Sequence, residues 1–356
     1  MSGDSPARSL RWVITPQGSR SNLSGPTCVG HWAIAQEKAS LKMAVYNLAM
    51  ANNILNTIGN TPVVRLRKVA PANAADVYLK LEFFNPTGSY KDRMALAMIE
   101  GAEQRDALRP GMKVVEYTGG STGSSLAMVC AVKGYPFTAV TSDGFAQEKL
   151  QTMRVFGAQL RVIPSDGGKL TPPLFQKMIE EAERLGSEPG TYYTDQFNNP
   201  DAIQGYMAIG RELVQQLGTG IDVFCGGVGT GGMITGTARA LKEAGCQARL
   251  VALEPASSPM LTTGRGGAHR VEGLAPGFVP PHMQGWHYEA RAVEESEARA
   301  MARTLAEREG ILAGTSTGLN VVAALQLARE LGPGHCVATV AVDTGLKYFA
   351  GDLFRE

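Results

Sequence analysis

The alternation of short apolar runs with longer helix-like segments, which begins near residue 44, constrains the fold of this chain most. Strand-like runs are predicted at 77–81, 113–116, 137–141, 161–163, 221–225, 249–254 and 336–342. Helices are predicted at 124–133, from a start at Asn199-Pro200 through Leu217, after the strand at 221–225 as far as about residue 244, at 296–310 and at 319–331. This alternation predicts an α/β fold with mainly parallel sheets. With 356 residues, the chain is long enough for two such domains.

Composition and charge argue against several classes of protein. Apolar residues make up 44% of the chain, and no apolar run approaches the ~20 residues that span a bilayer, so we expect a cytoplasmic protein that does not bind membranes. The 34 basic residues are balanced by 33 acidic ones, which offers nucleic acid no strongly basic surface. The five cysteines are scattered and form no Cys-x-x-Cys pair, so neither disulfides nor a zinc site is predicted.

Residues 1–42 differ from the rest of the chain. They are rich in Ser, Gly and Pro and show no apolar periodicity, which predicts a disordered leader. Cys28 and His31 lie in this segment, and two isolated residues of these types do not make a ligand set. We therefore expect no metal there, and we expect the folded part to begin at residue 43.

A lysine follows the strand predicted at 77–81. Ser89 and Asp92 match the Ser-x-x-Asp form of a capping box, which predicts that a helix begins here and continues through Ile99. Lys91 then lies in the first helical turn, where the positive end of the helix dipole disfavours a second positive charge. A lysine that loses its proton readily is a candidate for Schiff-base formation, and the alternative is an ordinary solvated lysine on a helix surface.

Two glycine-rich loops each lie between a predicted strand and a predicted helix. The first, Cys225-Gly226-Gly227-Val228-Gly229-Thr230-Gly231-Gly232-Met233, can direct backbone N–H groups at an anion and predicts a phosphate site. Its Gly-x-Gly-x-x-Gly pattern, with Glu254 ending the next strand, also leaves an NAD-dependent oxidoreductase open. The second, Thr118-Gly119-Gly120-Ser121-Thr122-Gly123, can hold a carboxylate at the start of a helix.

A longer motif resembles the signature of a known enzyme family. The motif is Lys80-x-Glu82-x-x-Asn85-Pro86-x-x-Ser89-x-Lys91-Asp92-Arg93. It resembles the pyridoxal-phosphate (PLP) enzymes of the cysteine synthase and cystathionine β-synthase family, and 58–66 is similar to that family's opening strand. The resemblance implies a fold-type II, tryptophan synthase β-like architecture, with two parallel-sheet domains and a cofactor cleft between them. It also implies that PLP is attached to Lys91.

The resemblance implies how the chain is divided. Residues 43–200 would form an N-terminal α/β domain that carries Lys91, and residues 201–356 a C-terminal α/β domain that carries the phosphate loop. The opening strand, near 58–70, would pack with the C-terminal domain. We also expect a homodimer.

The resemblance further assigns roles to residues in both loops. The cofactor phosphate would be bound by Gly229, Thr230, Gly231 and Gly232, with Met233 where the family usually has Thr. The substrate carboxylate would be bound by Thr118, Gly119, Gly120, Thr122 and Gln196. Ser316 would hydrogen-bond the pyridine nitrogen, and its alternative role is a simple helix N-cap.

Two positions depart from the family's Thr-Ser-Gly-Asn-Thr-Gly sequence. Ser121 replaces the Asn that contacts the 3′-oxygen of the cofactor, and Gly119 replaces the Ser. We expect Ser121 to offer the cofactor a hydrogen bond with a shorter reach. We expect Gly119 to leave room for a larger substrate or nucleophile.

The implied activity is PLP-dependent β-replacement on a small L-amino acid through an α-aminoacrylate, such as O-acetylserine with sulfide or another small nucleophile. A neutral Ser at the pyridine nitrogen weakens the electron sink, which favours β-chemistry over transamination. The alternatives are β-elimination, as in cysteine desulfhydrases and serine or threonine dehydratases, and cystathionine β-synthase-like chemistry. A catalytically idle binding partner is disfavoured because Lys91 and both loops are retained.

Overall fold

The alternating segments form two sheets in the computed structural model, which describes residues 51–168 and 171–355. The strands are β1 (Val63–Arg65), β2 (Asp76–Leu81), β3 (Lys113–Tyr117), β4 (Phe137–Ser142), β5 (Gln159–Ile163), β6 (Thr191–Tyr193), β7 (Val223–Gly227), β8 (Arg249–Pro255), β9 (Glu289–Val293) and β10 (Cys336–Ala341). One sheet has the order β1-β2-β10-β7-β8-β9 and the other β5-β4-β3-β6. All pairs are parallel except β1 with β2, so the predicted α/β class is confirmed.

Helices connect most of these strands, as parallel pairing requires. They are α1 (Lys91–Gln104), α2 (Ser121–Lys133), α3 (Gln147–Val155), α4 (Pro172–Gly186), α5 (Pro200–Leu217), α6 (Gly232–Glu243), α7 (Met260–Thr263), α8 (Glu295–Thr304) and α9 (Thr315–Leu331). A π-helical turn at Leu305–Glu309 extends α8, and 3₁₀ turns occur at Ile54–Thr57, Glu82–Phe84, Pro281–Met283 and Gly345–Tyr348.

The start of α5 shows the physical basis of the helix start that the sequence predicts at Asn199-Pro200. Asn199 is the N-cap, and its side chain accepts a hydrogen bond from the N–H of Asp201 at 3.0 Å. Pro200 occupies the first helical position, where its missing N–H costs nothing. The predicted helix start at Asn199-Pro200 is therefore confirmed.

Apolar side chains from α1, α2, α5 and α6 form the largest buried cluster. Met94, Met98 and Ile99 of α1 have no exposed surface, so this helix is fixed by packing rather than by its ends. A second cluster fills the space between the six-stranded sheet and α9, where Leu319, Val321 and Ala324 are buried. Helices α1 and α9 are therefore held in place by buried apolar contacts.

The division into domains at residue 200 stays a prediction. Residues 51–356 form one unit of contacts, in which β2 from the first part of the chain pairs in parallel with β10 near its end. The predicted leader, 1–42, and with it Cys28 and His31, lies outside the described residues. Among the helices that the structure describes, none is long and apolar enough to cross a membrane.

Candidate functional site

Lys91 is the first residue of α1 and is largely withdrawn from water, with 8% of its surface exposed. Its Nζ lies 5.1 Å from the ring centroid of Tyr90 and 5.8 Å from that of Tyr206. Burial lowers the pKa of the amine to about 8, although the charges of Glu116 and Asp343 oppose the shift. A free amine of this kind is a nucleophile near neutral pH, and the alternative of a solvated surface lysine is wrong.

The capping box predicted for α1 does not form. Tyr90 is the N-cap, and it makes no side-chain cap hydrogen bond. The Asp92 carboxylate instead accepts hydrogen bonds from the N–H of Thr87, at 2.7 Å, and from Ser125 Oγ, at 2.6 Å. In the tight turn before the helix, the N–H of Gly88 donates to the carbonyl of Asn85. This turn brings Thr87 over the start of the helix, so Thr87 takes the place of a capping-box partner for Asp92.

The other charged residues of the motif form a buried ion network. Arg93 Nε lies 2.7 Å from Glu82 Oε2, and Arg93 Nη1 lies 2.6 Å from Glu212 Oε1. Lys80 Nζ lies 2.6 Å from Glu212 Oε2. Burial would raise the pKa of Glu212, but its hydrogen bonds and charge interactions with Arg93 and Lys80 hold that pKa at about 2. The network joins α1 to the end of β2 and to α5, which fixes the position of Lys91.

The first glycine loop connects β7 to α6. Gly231 is the N-cap of α6 with φ of 83°, a conformation that favours glycine. A Cβ added to Gly229 would lie 2.2 Å from the carbonyl oxygen of Gly273, so only glycine fits there. Within residues 51–168 and 171–355, the N–H groups of Gly229, Thr230 and Gly231 find no backbone or side-chain acceptor. These donors are suited to an anion.

Lys91 and the glycine loop line the same cavity. Its lining residues are Tyr90, Lys91, Gly227, Gly229, Thr230, Gly231, Met233 and Ile234. Met233 is 4% exposed, and its methyl carbon lies 2.7 Å from where a Cβ on Gly226 would be. Met233 therefore contributes an apolar wall beside the loop.

The second glycine loop connects β3 to α2 and contacts Gln196. Thr118 Oγ1 accepts hydrogen bonds from the N–H groups of Gly120, at 3.3 Å, and Gly123, at 3.1 Å. Thr122 Oγ1 donates to Gln196 Oε1 at 2.9 Å. The residues that we assigned to the substrate carboxylate thus lie together at the start of α2.

Gly119 does not leave the open space that we expected. A Cβ added at this position would lie 2.0 Å from Cε1 of Phe145. The Phe145 ring, which comes from the segment between β4 and α3, therefore occupies the room left by the missing side chain. The expectation of a roomier substrate site at Gly119 is wrong, because a long-range aromatic contact compensates the small residue.

Ser121 is the first residue of α2 and faces the end of the chain. Its Oγ donates to Asp343 Oδ2 at 3.4 Å and accepts from Lys347 Nζ at 3.3 Å. Asp343 Oδ2 also accepts from the hydroxyl of Tyr348 at 2.8 Å, and Asp343 Oδ1 is buried without a partner in the described residues. We did not single out Asp343 from the sequence. Its place two residues after the end of β10 is a signal, because sites in parallel sheets form at the carboxyl ends of strands.

Ser316 lies inside the first turn of α9 rather than before it. The N-cap is Gly314, so the alternative of Ser316 as an N-cap is wrong. Ser316 is 2% exposed, and its hydroxyl has no hydrogen-bond partner among the residues that the structure describes. An orphaned buried hydroxyl costs free energy unless a ligand completes it.

Glu116, at the core of β3, is a buried carboxyl that sequence analysis missed. Its Oε2 accepts from Thr194 Oγ1 at 2.6 Å and from the N–H of Gln196 at 3.0 Å, whereas Oε1 has no partner in the described part of the chain. Burial raises its pKa to about 8. Glu116 therefore positions the segment that carries Gln196.

Glu254 is not free to bind a ribose. Its carboxylate accepts hydrogen bonds from the N–H of Leu261, at 2.6 Å, and of Thr262, at 2.8 Å, at the start of α7. The acid of the dinucleotide pattern is therefore used within the fold, which removes the support for an NAD site. Lys91 and the glycine loop line one pocket, and the buried Ser316 hydroxyl has no partner in the described residues. An amine, an anion cradle and a free hydroxyl suit PLP, which carries an aldehyde, a phosphate and a ring nitrogen.

Comparison with known proteins gives the same class. Residues 54–343 match the family model described as "Pyridoxal-phosphate dependent enzyme", so the chain belongs to this family and its cofactor is pyridoxal 5′-phosphate. A curated relative named cysteine synthase, from Staphylococcus aureus (strain Mu50), is 42% identical over 306 residues, which cover 85% of this chain and 97% of the relative.

Solved structures share the architecture. O-ureido-L-serine synthase superposes with a TM-score of 0.79 at 37% identity, covering 86% of this chain and 95% of that one. O-acetylserine sulfhydrylase isoform 3 from Entamoeba histolytica superposes with a TM-score of 0.79 at 31% identity, covering 87% and 93%. The predicted fold-type II PLP architecture and the predicted family are confirmed.

Proposed function

We propose that this protein catalyses β-replacement on a small L-amino acid, with O-acetylserine as amino-acid substrate and sulfide as nucleophile. The observation that carries the proposal is that the buried Lys91 lines one small pocket with the glycine loop, in a chain whose Ser316 offers a neutral hydroxyl rather than a carboxylate. The relatives support the same chemistry, since one is named cysteine synthase and one solved structure is named O-acetylserine sulfhydrylase.

Each group has a defined role in this proposal. The backbone of Gly229, Thr230, Gly231 and Gly232 binds the phosphate beside Met233, and Ser316 bonds the ring nitrogen. The carboxylate of the substrate is bound by Thr118, Gly119, Gly120, Thr122 and Gln196, and Ser121 contacts the 3′-oxygen of the cofactor.

Proton transfer is assigned to one atom. The bound cofactor supplies an electron sink for the charge that develops at the substrate α-carbon. Lys91 Nζ removes the α-proton as a general base, and its lowered pKa, about 8, suits this task near neutral pH. The buried surroundings exclude water, which favours replacement by the nucleophile over release of pyruvate and ammonia.

The test measures both products in one assay. The holoenzyme is incubated with O-acetylserine, with and without sulfide, and cysteine and pyruvate are quantified. We expect cysteine to form with sulfide, and Lys91→Ala to abolish it while the exposed-site control Lys177→Ala does not. Equal pyruvate formation with and without sulfide would identify a β-elimination lyase instead.

We further propose that the protein is a cytoplasmic homodimer whose two domains divide near residue 200. The proposal of a dimer rests on the resemblance to the family. Light scattering of the purified protein tests the oligomeric state, and a monomeric mass would contradict the dimer.

A further inference from the structure

Gln196 is held at all four of its polar groups by the protein itself. Its N–H donates to Glu116 Oε2, and its side-chain amide donates to the carbonyl of Tyr117 at 3.2 Å. Its side-chain carbonyl accepts from Thr122. Its backbone carbonyl lies 3.1 Å from His282 Nε2. Because a carbonyl can only accept, His282 Nε2 carries the proton and donates it.

His282 differs from the other three partners in where it comes from. Glu116, Tyr117 and Thr122 belong to β3 and α2, on the side of the four-stranded sheet. His282 lies in the 3₁₀ turn Pro281–Met283, between β8 and β9 of the six-stranded sheet. Of these four partners, His282 is the one that contacts Gln196 from the side of the six-stranded sheet.

The same histidine packs against the phosphate loop. A Cβ on Gly231 would lie 3.4 Å from His282 Cβ, and a Cβ on Gly232 would lie 3.6 Å from His282 Cδ2. His282 is 8% exposed, and burial lowers its pKa, aided by the charge of Lys91 and opposed by the Gln196 hydrogen bond and Asp195. The lowered pKa favours the neutral ring, and the contact with the Gln196 carbonyl places the proton on Nε2.

We infer that His282 is a positioning residue for the β-replacement reaction, which couples the phosphate loop to Gln196 and so fixes the pocket for the substrate carboxylate. The inference rests on the proposed function in that Gln196 binds this carboxylate. His282 acts through Gln196 and moves no proton of the substrate. Replacing His282 removes the hydrogen bond to the backbone carbonyl of Gln196, whereas the bonds of Gln196 with Glu116, Tyr117 and Thr122 remain.

The consequence is selective for amino-acid binding. We expect His282→Leu to raise the KM of the amino-acid substrate between about twofold and about tenfold, the range for loss of one hydrogen bond, with kcat changed less than KM. The affinity for PLP changes less than KM, because the loop N–H groups remain in place.

Two further variants separate the hydrogen bond from packing. In His282→Gln, the amide nitrogen lies as far from the backbone as Nε2 does and can donate to Gln196, so we expect KM to return toward the wild-type value. In His282→Asn, the amide lies at the distance of Nδ1 and falls short, so we expect the defect to persist. His287→Leu, an exposed histidine five residues along the chain, is the matched control and leaves KM unchanged.

Affinity is also measured without turnover. L-alanine, which has no leaving group, is titrated into each holoenzyme while the visible absorbance of the bound cofactor is followed. We expect weaker L-alanine binding in the Leu and Asn variants and recovery in the Gln variant. Equal affinity in all four His282 forms overturns the inference, as does a Gln variant as defective as the Asn variant. Because this titration needs no product, its outcome is independent of whether O-acetylserine and sulfide are the substrates.

Discussion

Lys91 has a lowered pKa, but the main cause in the structure differs from the one that the sequence indicates. The sequence indicates a lysine in the first turn of a helix, where the dipole disfavours its charge, and the helix does begin at this residue. In the structure, burial is the largest cause of the lowered pKa, and part of that burial comes from Tyr206 on α5. A contact between residues so far apart in sequence has no local signal.

The titration of Lys91 gives the first prediction. The amine is protonated below its pKa of about 8 and free above it, so the rate at which the apoenzyme captures PLP should rise with pH around 8 and then level off. An ordinary lysine would continue to gain reactivity up to its usual pKa of 10.5. The rate is followed by absorbance, with Nα-acetyl-lysine as a reference that shares the ionisations of PLP. A rise centred on the usual lysine pKa would contradict the burial argument.

The substrate loop shows where prediction at single residues fails. The sequence identifies Gly119 and Ser121 as unusual, but it does not indicate that Phe145 fills the space at Gly119 or that Asp343 and Lys347 bond Ser121. These partners come from separate elements, and side-chain packing between elements depends on three-dimensional arrangement. Motif spacing alone therefore indicates candidate site residues but not the side chains that surround them.

At the scale of elements, the family motif contains more structural than chemical information. Lys80, Glu82 and Arg93 are part of the signature, yet they form ion pairs that hold α1 against β2 and α5. The fourth member, Glu212, has no place in the motif because it lies on α5. The signature therefore identifies the lysine helix together with the charges that anchor it.

Breaking this network should destabilise the protein strongly. Arg93→Met leaves the buried carboxylates of Glu82 and Glu212 without their main partner, which costs about 3–5 kcal/mol of unfolding free energy. Urea unfolding of the apoenzyme measures the loss. The control is Arg239→Met, which breaks an exposed pair with Glu243 and should change stability by under about 0.5 kcal/mol. Equal effects of the two changes would show that burial of the network is unimportant.

Some elements gave no sequence signal that we recognised. The short β6 and the partly exposed, charged β9 were not predicted, since neither forms a clear apolar run, and α4 was also missed. The start of α9 was placed four residues late, because Thr315 and Ser316 resemble capping residues but lie inside the helix. Long apolar strands and the Asn199-Pro200 start were predicted correctly.

At the scale of the whole molecule, the alternating pattern predicts the class of fold but not the order of strands. β10 lies between β2 and β7 although it is the last strand of the chain, and only long-range packing decides that position. The fold-type II architecture and the pyridoxal 5′-phosphate cofactor could be anticipated from the resemblance. The hydrogen bonds that Asp343 and Lys347 make with Ser121 could not be anticipated, because they depend on the position of β10 in the sheet.

Truncation tests which part of the chain the enzyme requires. The family match begins at residue 54, so we expect deletion of residues 1–42 to leave PLP binding and thermal stability nearly unchanged. Deletion of residues 1–57 is the comparison, because it removes the buried Leu55 and the turn Ile54–Thr57, and it should lower the melting temperature. Loss of PLP binding in the shorter deletion would contradict the prediction.

The central claim is that the buried amine of Lys91 binds the cofactor covalently, and peptide mapping tests it most directly. The holoenzyme is reduced with borohydride and digested, and the mass of the reduced cofactor is located by mass spectrometry. We predict that it lies on Lys91 and disappears in Lys91→Ala. Lys80 and Lys149 are also buried, and Lys347 Nζ donates a hydrogen bond to Ser121 Oγ. A modified Lys80, Lys149 or Lys347 in the wild-type protein would contradict the account.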